Sequence, residues 1–129
     1  MTEAYVEHIN LTVRDPLATA NMLEKLFDWK IRWQGEAIHG GLTVHVGGAR
    51  SYVALYRHAD LGDNAAESYY RELGFNHLGV VVDDLDATER KVVTAGFTPH
   101  SHGDYEPGRR FYFEDTEGFE IEVISYGSE

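Results

Sequence analysis

The chain has 129 residues, 43% of them hydrophobic, and sets 22 acidic against 11 basic side chains for a formal net charge of −11. That composition describes one globular domain with enough apolar mass for its own core, and its negative excess repels phosphate backbones and anionic headgroups, which excludes nucleic acid and membrane surfaces as expected partners. With no cysteine, disulfides, thiol nucleophiles and thiolate-bound zinc are excluded, and histidine and carboxylate remain as metal ligands.

The opening MTEAYVEHIN holds no basic segment leading into an apolar one, and no apolar run reaches the roughly 18 residues of a membrane span, so a soluble cytoplasmic protein is expected. The first element is the strand in VEHINLTV, whose alternation sets His8, Asn10 and Thr12 on one face and Ile9, Leu11 and Val13 on the other. Asp15 follows as an N-cap, Pro16 sits where a first helical turn tolerates it, and Leu17, Ala20, Leu23, Leu26 and Phe27 recur at helical spacing. The period then switches to two, which predicts strands over about 30–37, 41–48 and 50–58. Residues 59–74, ADLGDNAAESYYRELG, read as a short helical connector.

The same grammar then begins again. FNHLGVVVDDLDATERKVVTAGF starts 69 residues after VEHINLTVRDPLATANMLEKLF, with His77 opening the strand, Asp84 as the N-cap, and Leu85, Val92 and Val93 in a helix that Gly96 ends. Strands are predicted in GFTPHSH, RRFYFED and FEIEVISY. The fold class expected is α+β: paired βαβββ modules, one at about 4–58 and one at about 75–126, forming a curved mixed sheet that encloses a cup within a single domain.

His8 and His77 occupy the same phase of equivalent strands, so a pseudo-twofold arrangement brings both toward one axis. The last strand offers Glu120 and Glu122 on one face, opposite Phe119, Ile121 and Val123, and a glutamate inside an apolar strand is costly unless paired or metal-bound. Two histidines and one carboxylate with open positions is the arrangement that divalent iron or manganese uses when substrate must also reach the metal. His39, His45 and His58 have no repeat partner and read as surface or loop residues.

EHINLTV, NHLGVVV and the closing FYFEDTEGFEIEV resemble the vicinal oxygen chelate superfamily over roughly residues 4–126. This superfamily includes glyoxalase I, extradiol dioxygenases, bleomycin-resistance proteins and fosfomycin-resistance enzymes. The resemblance implies His8, His77 and Glu122 as metal ligands, choosing Glu122 over Glu120 by its spacing from the turn Asp115 to Gly118. It implies a divalent metal cofactor, with iron or manganese favoured over zinc or nickel, a small oxygen-bearing substrate, and a homodimer, with His8 and the other two ligands from one chain or from two.

Two departures bear on the reaction. Ala54 stands where the glyoxalase I pattern has a fourth ligand, which leaves one coordination position more. Phe111, Tyr112, Asp115, Gly118 and Glu122 fit the extradiol signature, but Thr116 replaces its proline; Tyr112 and a histidine, His102 or His100, are the candidate catalytic groups. The expected function is a metal-dependent dioxygenase-like or glyoxalase-like enzyme. The alternative is a non-catalytic bleomycin-resistance-type binding protein, for which Trp29, Trp33, Tyr52, Tyr56 and Tyr112 supply aromatic lining. Fosfomycin-resistance chemistry ranks low, because only Arg109 and Arg110 are adjacent and alternation sends them to opposite faces.

Overall fold

The computed structural model describes residues 6–37, 40–62, 69, 75–105 and 108–126. The chain divides into two compact units, Met1–Asp63 and Asn64–Glu129. The first holds β1 (His8–Thr12), α1 (Pro16–Phe27), β2 (Lys30–Glu36), β3 (Leu42–Gly47) and β4 (Tyr52–Arg57). The second holds β5 (His77–Val81), α2 (Leu85–Thr94), β6 (His100–Tyr105), β7 (Gly108–Glu114) and β8 (Glu120–Ser125). Each unit is thus a βαβββ module with its own mixed four-stranded sheet, ordered β1-β4-β3-β2 in one and β5-β8-β7-β6 in the other. No described helix is long and apolar enough to cross a membrane.

Local chemistry sets the boundaries. The Asp15 carboxylate accepts from the amide of Ala18 at 3.1 Å to open α1, and Asp84 accepts from Ala87 at 3.0 Å to open α2. Asp28, at φ 60, closes α1 in the left-handed region with its amide on the Glu24 carbonyl. The second helix closes through Gly96, at φ 101, while Phe97 donates back to Val92. That closure consumes the start of the strand expected from Gly96, and Pro99 has no amide for a ladder, so β6 begins only at His100. The helical connector expected over 59–74 lies, apart from 59–62 and Tyr69, outside the described residues.

One face of each sheet is apolar. Val44, Val46, Val53 and Leu55 are buried on the side of Ala20, Leu23 and Leu26 from α1, and Phe111, Phe113, Ile121 and Val123 are buried with Val92 of α2. Leu17 and Val93, expected on the covered faces, are instead about half exposed. Burying each large apolar side chain contributes about 1.5–3 kcal/mol, and a one-residue slip would expose the whole set, so the register is firmly fixed. The same alternation sends the polar residues of these strands to the other face.

Candidate metal centre

The polar face of the second module is built by pairing. In the parallel β5–β8 ladder His77 lies opposite Glu120 and Gly79 opposite Glu122; in the antiparallel β7–β8 ladder Glu122 lies opposite Tyr112 and Glu114 opposite Glu120. The β7–β8 turn locks that register. Asp115 Oδ1 accepts from the amides of Glu117, Gly118 and Phe119 at 2.9, 2.9 and 3.2 Å, and Gly118 takes a φ of 97. Burial pushes the Asp115 carboxyl up to about 6, against those three amides, which pull the other way.

On this face His77 Nε2 stands 3.1 Å from Glu122 Oε1, and the other Glu122 oxygen accepts from Arg110 Nη1 at 2.8 Å. Glu122 and Arg110 are almost fully buried, with 12% and 10% of their side chains exposed. Two ligands each about 2.1 Å from one ion and at right angles to each other lie about 3 Å apart, so the imidazole nitrogen and the carboxylate oxygen are spaced as neighbours in a coordination shell. Arg110 occupies Oε2 and leaves Oε1 as the one oxygen facing His77, which suits monodentate ligation. This donor pair fits a divalent cation of intermediate softness.

A second donor set adjoins it. His100 Nε2 lies 2.9 Å from Glu114 Oε2, and one ligand atom from each of His100, Glu114 and Glu120 falls within 4.8 Å of the others. Tyr69 spans the two groups: its hydroxyl donates to Glu120 and lies 3.2 Å from His77 Nδ1. The hydrogen bond to Glu120 pushes the Tyr69 hydroxyl up to about 12. Tyr112, half-buried, sits edge-on to His77 at 5.9 Å and stacks on His100 at 6.4 Å.

His102 lies elsewhere. Its Nε2 is 2.7 Å from Glu89 of α2 and its ring is 6.0 Å from Phe111, so it stands on the helix side of the sheet. The cause is a bulge between His100 and Gly103, where Ser101 takes a φ of 56. One inserted residue reverses the alternation, and two histidines that plain spacing puts together point to opposite faces. The two arginines separate as alternation predicts: Arg109 pairs with Asp86 of α2 at 3.0 Å while Arg110 stays with Glu122.

The polar face of the first module carries rings. His8 lies opposite Tyr52, and Asn10 opposite Ala54, in the parallel β1–β4 ladder. His8 stacks on Tyr52 at 4.8 Å, Tyr52 on His45 at 4.6 Å, and His45 meets Trp33 at 5.3 Å. The Arg32 guanidinium covers the Tyr52 ring at 4.5 Å. His8 Nδ1 is held by Glu7 Oε1 at 2.9 Å. His45, expected on the surface or in a loop, is half-buried at the centre of this row; burial, then the charges of His8 and Arg32, hold its pKa below 6.5. A signal for it existed in the repeat, since His45 opposes Ala54 as Tyr112 opposes Glu122. His58 caps a bend by accepting from the Asp60 amide, and His39 lies outside the described residues.

The sequence matches the model of the Glyoxalase/Bleomycin resistance protein/Dioxygenase superfamily over residues 5–123. The chain belongs to this superfamily. Its fold is shared by a glyoxylase/bleomycin resistance protein/dioxygenase domain from Frankia sp. EAN1pec, at a TM-score of 0.80 and 22% identity over 96% of this chain and 98% of that one. The fosfomycin resistance protein FosX from Mesorhizobium loti gives 0.70 and 24%, covering 96% of this chain and 92% of its own. FosX from Listeria monocytogenes, solved with Mn(II) and sulfate, gives 0.71 and 18% over 96% and 93%. Among curated proteins, none matches the sequence. At these identities the likeness to superfamily structures establishes the fold alone.

Proposed function

We propose that the protein is a divalent-metal-dependent enzyme acting on a small oxygen-bearing substrate, with His77, Glu122 and His8 as the metal ligands. The observation that carries this reading is the 3.1 Å approach of His77 Nε2 to Glu122 Oε1, with Arg110 fixing the carboxylate from behind. His8 joins by equivalence: it opposes Tyr52 in its ladder as His77 opposes Glu120, and Glu7 occupies its Nδ1. Manganese or iron is the metal favoured by a set of imidazoles and one carboxylate, and a bound FosX relative carries Mn(II). When bound, the ion supplies Lewis acidity toward a chelated substrate oxygen.

The chain's own groups divide the remaining work. Tyr112, edge-on to His77, and His100, whose ring nitrogens meet Ser101 and Glu114, are the groups this reading assigns to substrate, whereas His102 faces α2. Ala54, 3% exposed at the ladder position matching Glu122, offers no fourth ligand, which favours dioxygenase-like over glyoxalase-like coordination. The homodimer implied by the resemblance belongs to this proposal and is checked by sedimentation.

The test is metal content after purification without chelator and after reconstitution with Mn(II), Fe(II) or Zn(II). Near-stoichiometric uptake that His77→Ala and Glu122→Ala abolish and His100→Ala leaves intact is expected. Uptake lost only in His100→Ala would move the site to His100, Glu114 and Glu120. Oxygen consumption by the iron-loaded protein across a panel of catechols then reads the reaction class. The row His8, Tyr52, His45 and Trp33 favours a second reading, a binding protein for flat ligands. Ligand-induced quenching of tryptophan fluorescence without metal uptake would select it.

A further inference from the structure

Strand alternation puts Glu120 and Glu122 on one face, the resemblance selects Glu122, and the structure gives the two different partners. Glu122 meets His77 Nε2, whereas Glu120 accepts a hydrogen bond from the Tyr69 hydroxyl, whose oxygen lies 3.2 Å from His77 Nδ1. A hydroxyl has one hydrogen and a carboxylate only accepts. With that hydrogen committed to Glu120, the Tyr69 oxygen faces Nδ1 as an acceptor, and the hydrogen of that second bond belongs to the imidazole.

We infer that Tyr69 and Glu120 form a positioning relay that keeps a hydrogen on His77 Nδ1 and so aims Nε2 at the metal position beside Glu122. The inference rests on His77 being a ligand, as proposed above, and adds what orients it. A metal-binding histidine whose other nitrogen is anchored presents one tautomer and one ring direction, which raises affinity by removing competing states. The ring stacking of Tyr69 on His77, at 6.3 Å and 23°, restrains the same plane. His8 has its own version, with Glu7 directly on Nδ1 at 2.9 Å, so both imidazoles are anchored through the same nitrogen. Tyr69 thereby acts on the metal position without being a ligand itself.

Tyr69→Phe tests this, and with the residue 59% exposed the fold is expected to survive. In the metal-free protein, nitrogen-detected ring spectra of His77 should show Nδ1–H in wild type, protected from exchange with water. The variant should lose that protection and mix tautomers. Affinity for Zn(II) or Mn(II), measured by chelator competition, should fall about 10- to 100-fold with stoichiometry unchanged. Glu120→Leu should give the same loss, and the double variant no more than either alone. Identical His77 spectra and metal affinities in wild type and Tyr69→Phe would overturn the relay. Undiminished metal uptake by His77→Ala would instead refute the ligand assignment, while the metal-free spectra would still decide whether Tyr69 sets the tautomer.

Discussion

The two modules share a ladder but not a chemistry. Position for position, His8, Tyr52, Ala54, His45, Gly47 and Trp33 of the first correspond to His77, Glu120, Glu122, Tyr112, Glu114 and His100 of the second. Only the strand-opening histidine is kept. Of the remaining positions, the first module gives three to rings, Tyr52, His45 and Trp33, and the second gives three to carboxylates, Glu120, Glu122 and Glu114, with Arg110 buried against Glu122. Gly47 shows how firmly the difference is built in: a Cβ there would collide with the backbone of Ser51 and Tyr52, so no acid can stand where the second module has Glu114. A repeated fold thus sets where side chains point, and the residue types assign one face to stacking and the other to charge.

The largest test of that contrast is Glu122→Ala. It leaves the Arg110 guanidinium, 10% exposed, without its carboxylate partner and should cost about 3–5 kcal/mol in chemical denaturation. Glu122→Gln keeps an acceptor and should cost less. A loss smaller than that of removing a ring from the first module would break the comparison, because charge would then not be what organises the second face.

Next in size is the turn that sets the register of the charged face. Asp115→Ala removes the acceptor of three amides and should cost about 2 kcal/mol, whereas Asp115→Asn keeps it. The pH dependence has a definite sign. Burial raises this carboxyl from its ordinary 3.8 to about 6, so its contribution to stability is fully present below the lower value and is lost as pH rises through the upper one. Asp115→Asn should therefore flatten the stability profile between about pH 4 and 6. An unchanged slope in urea titrations across that window would place the ionisation elsewhere.

Much of this was legible because it rests on period and local chemistry. Both histidine-led strands, both aspartate caps and the alternation of FEIEVI follow from short-range rules, and they suffice to predict two βαβββ modules. The bulge at Ser101 was not legible, since a non-glycine residue at φ 56 leaves no mark in HSHG, and it alone separates His100 from His102. Tyr69 was equally hidden, because its role depends on a contact with Glu120, 51 residues away along the chain. His45 is hidden for a different reason: its partner at the matching position of the repeat is a tyrosine, so residue type does not reveal the equivalence.

In the first module, Tyr52→Leu should cost about 1–2 kcal/mol, because it removes the ring between His8 and His45 and the surface under Arg32 while keeping apolar volume. Thermal unfolding reads it. A neutral result would show that the rings lie together without stabilising one another.

The smallest effect sharpens the comparison most. His45 is held below 6.5 first by burial, then by the charge of His8, then by that of Arg32, with Glu7 opposing. A depressed histidine contributes stability that is present above 6.5 and lost as pH falls through its folded value. Arg32→Gln removes the third cause alone, so the His45 ring should titrate at a higher pH, still below 6.5, and His8→Gln should move it further. Ring proton shifts followed by NMR give both values. Full recovery to 6.5 in Arg32→Gln would mean that charge rather than burial keeps His45 neutral. The first module's face would then be electrostatic like the second's, and the division between a stacking face and a charged face would fail at its centre.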